Sequence, residues 1–126
     1  MNAKLTKQNI EYEVDLIINE ANKQNQKIIT QLFENRELKD IRLLANLLIQ
    51  QSDLWVLFAA KTENAHLIFA HPESADYNLN ELLNQVVHLI DGRGGGRPNF
   101  VEAGGKNISG IQQALECARV IVENSI

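Results

Sequence analysis

Six of the seven glycines fall in the fifteen residues from Asp91 to Gly105, DGRGGGRPNFVEAGG, and Arg93 and Arg97 flank the densest run. A glycine lets another backbone or a ligand approach where a β-carbon would collide. Successive exposed N–H groups can form a concave anion site, and a guanidinium closes on a phosphate through two parallel hydrogen bonds. Gly94, Gly95 and Gly96 with Arg93 and Arg97 are therefore candidate phosphate-binding residues. The alternative is that the glycines only let the chain turn tightly while the arginines lie on the solvated surface. No Lys-Ser/Thr follows the glycines, as a P-loop requires, and the run leads to Pro98 and not into a helix, which disfavours ATP and dinucleotide sites.

Other chemistry has thinner support. His66, His71 and His88 lack the spacing of a metal site, with or without Cys117. Ser52, Ser74, Ser109 and Ser125 have no recognisable base partner. Glu11 with Asp15 reads as a solvated helix face, and Trp55, inside an apolar run, as core. No active site of the chain's own is expected. A formal charge of −4 over 126 residues excludes a broad positive field, so any nucleic-acid contact must be local. The single cysteine excludes an intramolecular disulfide. With no membrane span or secretory layout in the sequence, a reducing, cytoplasmic setting is the simplest expectation.

The elements that would position the glycine run can be read from periodicity. Ile10, Val14, Ile17 and Ala21 recur at steps of four and three, a seam that can extend through Gln24 to Ile28. It fits a helix docked on its own domain or a seam between two copies. KIITQLF, Lys27 to Phe33, suits a helix or a short strand equally. Leu38, Ile41, Leu44, Ala45 and Leu48 mark another helix. Leu54 to Ala60 and His66 to Ala70 read as buried strands of an antiparallel hairpin. Asn78 with Glu81 signals a capped helix that Gly92 stops, and Ser109 with Gln112 repeats the cap for a final helix through Val122. The pattern predicts one α/β domain.

The GGGRP run, Gly94 to Pro98, followed by the paired glycines Gly104 and Gly105, resembles the DHH-associated C-terminal domain of alanyl-tRNA synthetases and free-standing alanyl-tRNA editing proteins. ENRELKDIRLLANLL resembles that family's first core helix, and LWVLFAAK with HLIFAHP its central hairpin. FENREL and LIFAHP are closest to the editing branch. The resemblance implies a layered β-α-β-β-α-β-α domain over residues 27–126, with KIITQLF as its first strand, preceded by a helical stalk over residues 1–26. It implies contact with tRNA, alanine tRNA first, and a contribution to dimerisation, with no membrane association. By the same resemblance Gly104, Gly105 and Lys106 join the phosphate-binding set. This chain has Val101 and Glu102 where the family commonly has Ala and Gln, and His71 where an arginine is usual. A carboxylate beside a phosphate site is unfavourable unless it pairs with Arg93 or Arg97. Arg97 stands where related phosphoesterases carry histidine, which argues against nuclease chemistry. The expected protein is thus a non-catalytic, tRNA-associated domain of a larger ligase or editing hydrolase. It needs no cofactor, zinc being expected only in an editing domain outside this chain. The alternatives are an oligomerisation module with a purely structural glycine loop and a substrate-binding domain of a DHH-type phosphoesterase.

Overall fold

A computed structural model describes the backbone of residues 3–126 and the side chains of residues 9–126; Met1 and Asn2 of the expected stalk lie outside the described residues. The chain runs α1 (Ala3–Gln24), β1 (Ile28–Glu34), α2 (Leu38–Gln51), β2 (Trp55–Lys61), β3 (Ala65–Ala70), α3 (Leu79–Val86), β4 (Gly92–Arg97), β5 (Phe100–Gly105) and α4 (Ile111–Ser125). Short 3-10 turns over Val87–Ile90 and Ile108–Gly110 follow α3 and precede α4. The five strands form one sheet in the order β1-β2-β3-β5-β4, with β1 and β2 parallel and the other neighbours antiparallel. The expected α/β class and the central hairpin are present, and KIITQLF supplies β1. The element string is longer than expected by one strand, because the glycine run itself is β4.

β2 is buried along almost its whole length, since both faces of the sheet are covered there. Leu57, Ala59, Leu67, Phe69 and Val101 pack beneath α3 and α4. Val56, Phe58, Ile68 and Ala70 pack on the opposite side, beneath α2 and α1. Trp55 is buried, with its ring 4.5 Å from His71 and 5.4 Å from Tyr77. His71 is the buried polar residue that this packing accommodates, because its Nδ1 and Nε2 lie 2.7 and 2.6 Å from the carbonyl oxygens of Pro72 and Tyr77.

The N-terminal seam is filled from within the chain. Ile10, Val14 and Ala21 are buried and Ile17 is half-buried, all in the cluster that α1 shares with α2. The seam stops short of Ile28: Asn25 takes a left-handed conformation (φ 54°), the helix ends at Gln24, and Ile28 enters β1. Arg36 fastens α1 to the β1–α2 connection by donating from both terminal nitrogens to Glu13, at 2.9 and 2.7 Å, while its guanidinium lies 5.3 Å from the Phe33 ring centre. That hydrogen-bonded carboxylate raises Arg36 above its ordinary range. Val14→Lys should therefore lower stability by about 3 kcal/mol, as expected for an unpaired charge placed in a core. Thermal unfolding checks the loss. A fall in solution mass with an unchanged melting temperature would contradict internal packing and restore the intermolecular seam.

Two expected helix boundaries differ in detail. Asn78 does cap α3, accepting from the Asn80 N–H at 3.0 Å. Asp91 (φ 51°), and not Gly92, takes the left-handed position after the 3-10 turn. Ser109 does not cap α4; it sits in the preceding turn and donates to Asn107 Oδ1 at 2.6 Å, and α4 begins at Ile111 with Gly110 at the N-cap position and no side-chain cap.

Candidate nucleic-acid interface

β4 and β5 form a tight hairpin across Pro98 and Asn99, with Arg97 opposite Phe100 and Gly92 opposite Gly105. The turn is tied down at both carbonyls. Pro98 O accepts from the Leu79 N–H at 2.8 Å, and Asn99 O accepts from the His71 N–H at 3.0 Å. The Asn80 side chain supplies the outer edge of β4 with a peptide-like partner, accepting from the Gly96 N–H at 3.1 Å and donating to Gly96 O at 2.9 Å.

None of the glycines has positive φ. What they permit is a close approach by the chain's own neighbouring strand. A β-carbon at Gly94 would fall on the Glu102 carbonyl oxygen and 2.5 Å from Ala103 Cα; one at Gly96 would meet the Phe100 carbonyl oxygen. This corrects the concave loop of converging N–H groups. In an extended strand, successive N–H groups point to opposite sides. With Gly96 bonded outward to Asn80, Gly94 also points outward and Gly95 points toward β5.

The pairing registers arrange the side chains into a ledge. Arg93, Gly95 and Arg97 of β4 stand beside Gly104, Glu102 and Phe100 of β5, and then His66, Ile68 and Ala70 of β3, all on one face. α2 covers that face over β2 and β3, whereas α3 lies against β4 and β5 from the other side. The ledge over β5 and β4 is therefore open on the α2 side. Its floor is bare at Gly95 and Gly104, both exposed, and Arg93 and Arg97 are exposed along its outer strand. Four strand positions separate the two arginines, about 13 Å along the backbone, a spacing that lets each meet its own phosphate.

Each arginine borders a different hollow. Arg93 shares one of about 300 Å³ with Arg42, His66, Glu102 and Gly104. Arg97 borders a larger polar groove of about 1000 Å³ that also reaches Asn46, Gln50, Asp76 and Asn99. Glu102 is paired, but with Arg42 from α2, whose Nε donates to Glu102 Oε1 at 2.6 Å, and not with Arg93 or Arg97. Burial and the nearby Arg42 lower His66 below its ordinary range, and Glu102 offsets part of that. Gly105 lies opposite Gly92 at the far end of the hairpin, and Lys106 is exposed just beyond it. Arg42 and His66 were missed by sequence reasoning. Arg42 lies on a helix far away in sequence, and only the strand register shows that His66 shares a face with Arg93.

The remaining candidates for chemistry are scattered. His71 is in the core, His66 on the ledge and His88 exposed on the 3-10 turn, while Cys117 is half-buried beside the α4 cluster. Among the described residues, no three His, Cys, Asp or Glu side chains are grouped to hold a metal ion, and no helix is long and apolar enough to cross a membrane.

The DHHA1 domain family model matches residues 25–124. Alanine–tRNA ligase 1 of Lachnoclostridium phytofermentans is 44% identical over 70 residues, covering 56% of this chain and 7% of the ligase. The alanine–tRNA ligase of Lactobacillus delbrueckii subsp. bulgaricus is 30% identical over 125 residues, covering 89% of this chain and 14% of the ligase. The chain thus spans only a small part of these curated relatives. The crystal structure of the C-Ala domain from Aquifex aeolicus alanyl-tRNA synthetase superposes with a TM-score of 0.63 at 25% identity, covering 71% of this chain and 84% of that domain. With the family model matched across β1 to α4 and the C-Ala fold reproduced, the chain belongs to the DHHA1 domain family.

Proposed function

We propose that the chain is a non-catalytic, tRNA-associated domain of an alanine–tRNA ligase-like or alanyl-tRNA editing protein, and that the β4–β5 ledge receives backbone phosphates of the RNA. The observation that carries this is the open, glycine-floored ledge edged by Arg93 and Arg97 on an otherwise acidic chain. Such a surface suits a polyanion that lies across it, since exposed guanidiniums position phosphates without reading bases. The pairing of Glu102 with Arg42 removes part of the objection to a carboxylate beside the ledge, because the carboxylate is already neutralised locally. Similarity to alanine–tRNA ligases supports alanine tRNA as the first ligand to try and a cytoplasmic setting. Any zinc-dependent editing chemistry would belong to a part of the parent protein outside this chain.

The test is a titration of labelled alanine tRNA against the chain at low and moderate salt, with the solution mass measured in the same samples. Weak binding that falls as salt rises is the expected result, with neither alanylation of tRNA nor deacylation of mischarged tRNA by the chain alone. Undetectable binding at low salt would contradict the reading. Turnover abolished by a single His or Cys substitution would contradict its non-catalytic part.

A further inference from the structure

The hollow beside Arg93 combines fixed and titratable positive groups. Arg42 leans in from α2, Arg93 from β4 and the half-buried His66 ring from β3, over the bare α-carbon of Gly104 on β5. A β-carbon at Gly104 would stand 3.5 Å from His66 Nδ1, so the glycine leaves that nitrogen uncovered toward the hollow. The other ring nitrogen, Nε2, is 3.0 Å from Thr62 Oγ1, a hydroxyl able to donate to it or accept from it. The ring is thus held from behind whichever tautomer it adopts, with Nδ1 free to respond to an occupant. The charged groups around it are Arg42 on α2, Arg93 on β4 and Glu102 on β5, while its cross-strand neighbour on β2 is Ala60.

We infer that the hollow lined by Arg42, Arg93, His66 and the Arg42-paired Glu102 is a single-phosphate site in which His66 supplies a titratable cation, so that between the free and bound midpoints of the ring a captured phosphate draws up to one proton from solvent. The inference rests on the proposed function only in taking that phosphate to be part of an RNA backbone. In the empty hollow, burial and Arg42 disfavour the charged ring. A bound anion reverses the balance: it offsets the field of Arg42 and accepts the Nδ1–H that protonation creates. The sign follows. His66 titrates higher in the complex than in the free chain, so the added affinity is fully present below the free-chain value and disappears as pH rises through the complex value. A phosphodiester keeps its charge throughout this range, so the ligand's own titration does not contribute.

The experiment measures tRNA affinity at constant low salt at about pH 5.5 and about pH 8, for the chain and for His66→Gln; in the unsubstituted chain, raising the His66 midpoint by about one pH unit on binding gives up to about tenfold. The chain should bind several-fold more tightly at the lower pH, and the difference should collapse in His66→Gln. A parallel NMR titration follows the His66 ring protons with and without sulfate, an anion of fixed charge, which should raise the midpoint. If tRNA does not bind at either pH while sulfate still raises the midpoint, the RNA reading fails and the anion site stands. Binding without pH dependence, the same pH dependence in His66→Gln, or a midpoint unmoved by sulfate overturns the proton-linked site.

Discussion

Gly94→Val should detach β4 from the sheet and lower stability by about 3 kcal/mol, in the range for a side chain forced into space that backbone already fills. The added β-carbon would collide with the Glu102 carbonyl oxygen and lie 2.5 Å from Ala103 Cα. Neither is the movable end of a side chain, so relief requires β4 to leave β5. Detachment would also remove Gly96 from Asn80 and loosen the platform that holds Arg93 and Arg97. Gly95→Val is the informative comparison. The nearest atom to a β-carbon there is Asn80 Oδ1 at 3.1 Å, a side-chain atom that can give, and a β-branched residue suits a strand. Its cost should stay below about 1 kcal/mol. Denaturant unfolding of both variants, with amide exchange at β5, checks the contrast. Equal losses would mean that close approach to β5 is not why Gly94 is glycine.

Much of this arrangement can be read from the chain, and what cannot has a physical cause. The buried faces of α2 and α3 follow from Ile41, Leu44 and Leu48 and from Leu79, Leu82 and Val86, because their spacing matches the helical period. KIITQLF has no decisive period of its own; its strand state depends on pairing with β2, a non-local interaction that the resemblance, and not the spacing, anticipates. The glycine run misleads for a related reason. Glycines lack both a β-carbon and a high intrinsic strand preference, so GRGGGR reads as a loop when taken alone. It becomes a strand because FVEAGG folds back on it and Asn80 satisfies its outer edge. The N-terminal seam marks a buried stripe correctly but cannot say whose surface buries it, and α2 of the same chain does so. At the site, Arg93 and Arg97 are visible as neighbours in sequence, whereas their separation along one strand, the Arg42–Glu102 pair and the position of His66 exist only once the strands are in register.

RNA held on the ledge through phosphates at Arg93 and Arg97, as proposed, would show itself in the salt dependence of binding. Both side chains are exposed and stand on the outer strand, so their replacement by alanine should leave the fold intact. Each phosphate they neutralise releases condensed counterions, and log affinity should fall with log salt by about 0.7 to 0.9 per phosphate. The two positions are far enough apart to serve separate phosphates, so Arg93→Ala with Arg97→Ala should flatten the slope by roughly one to two units. At low salt the loss should approach about a hundredfold, at about a tenfold loss for each charge-assisted contact. The loss should be similar for tRNAs of different sequence, because phosphate contacts position the RNA without reading it. The decisive measurement is the slope of tRNA affinity against salt for the chain and for the double variant, after unfolding curves have shown equal stability. A slope flattened by about one to two units through lost counterion release is the predicted result. Binding by the double variant with an unchanged slope would contradict the ledge as the RNA-binding surface and leave the glycine hairpin a structural edge alone.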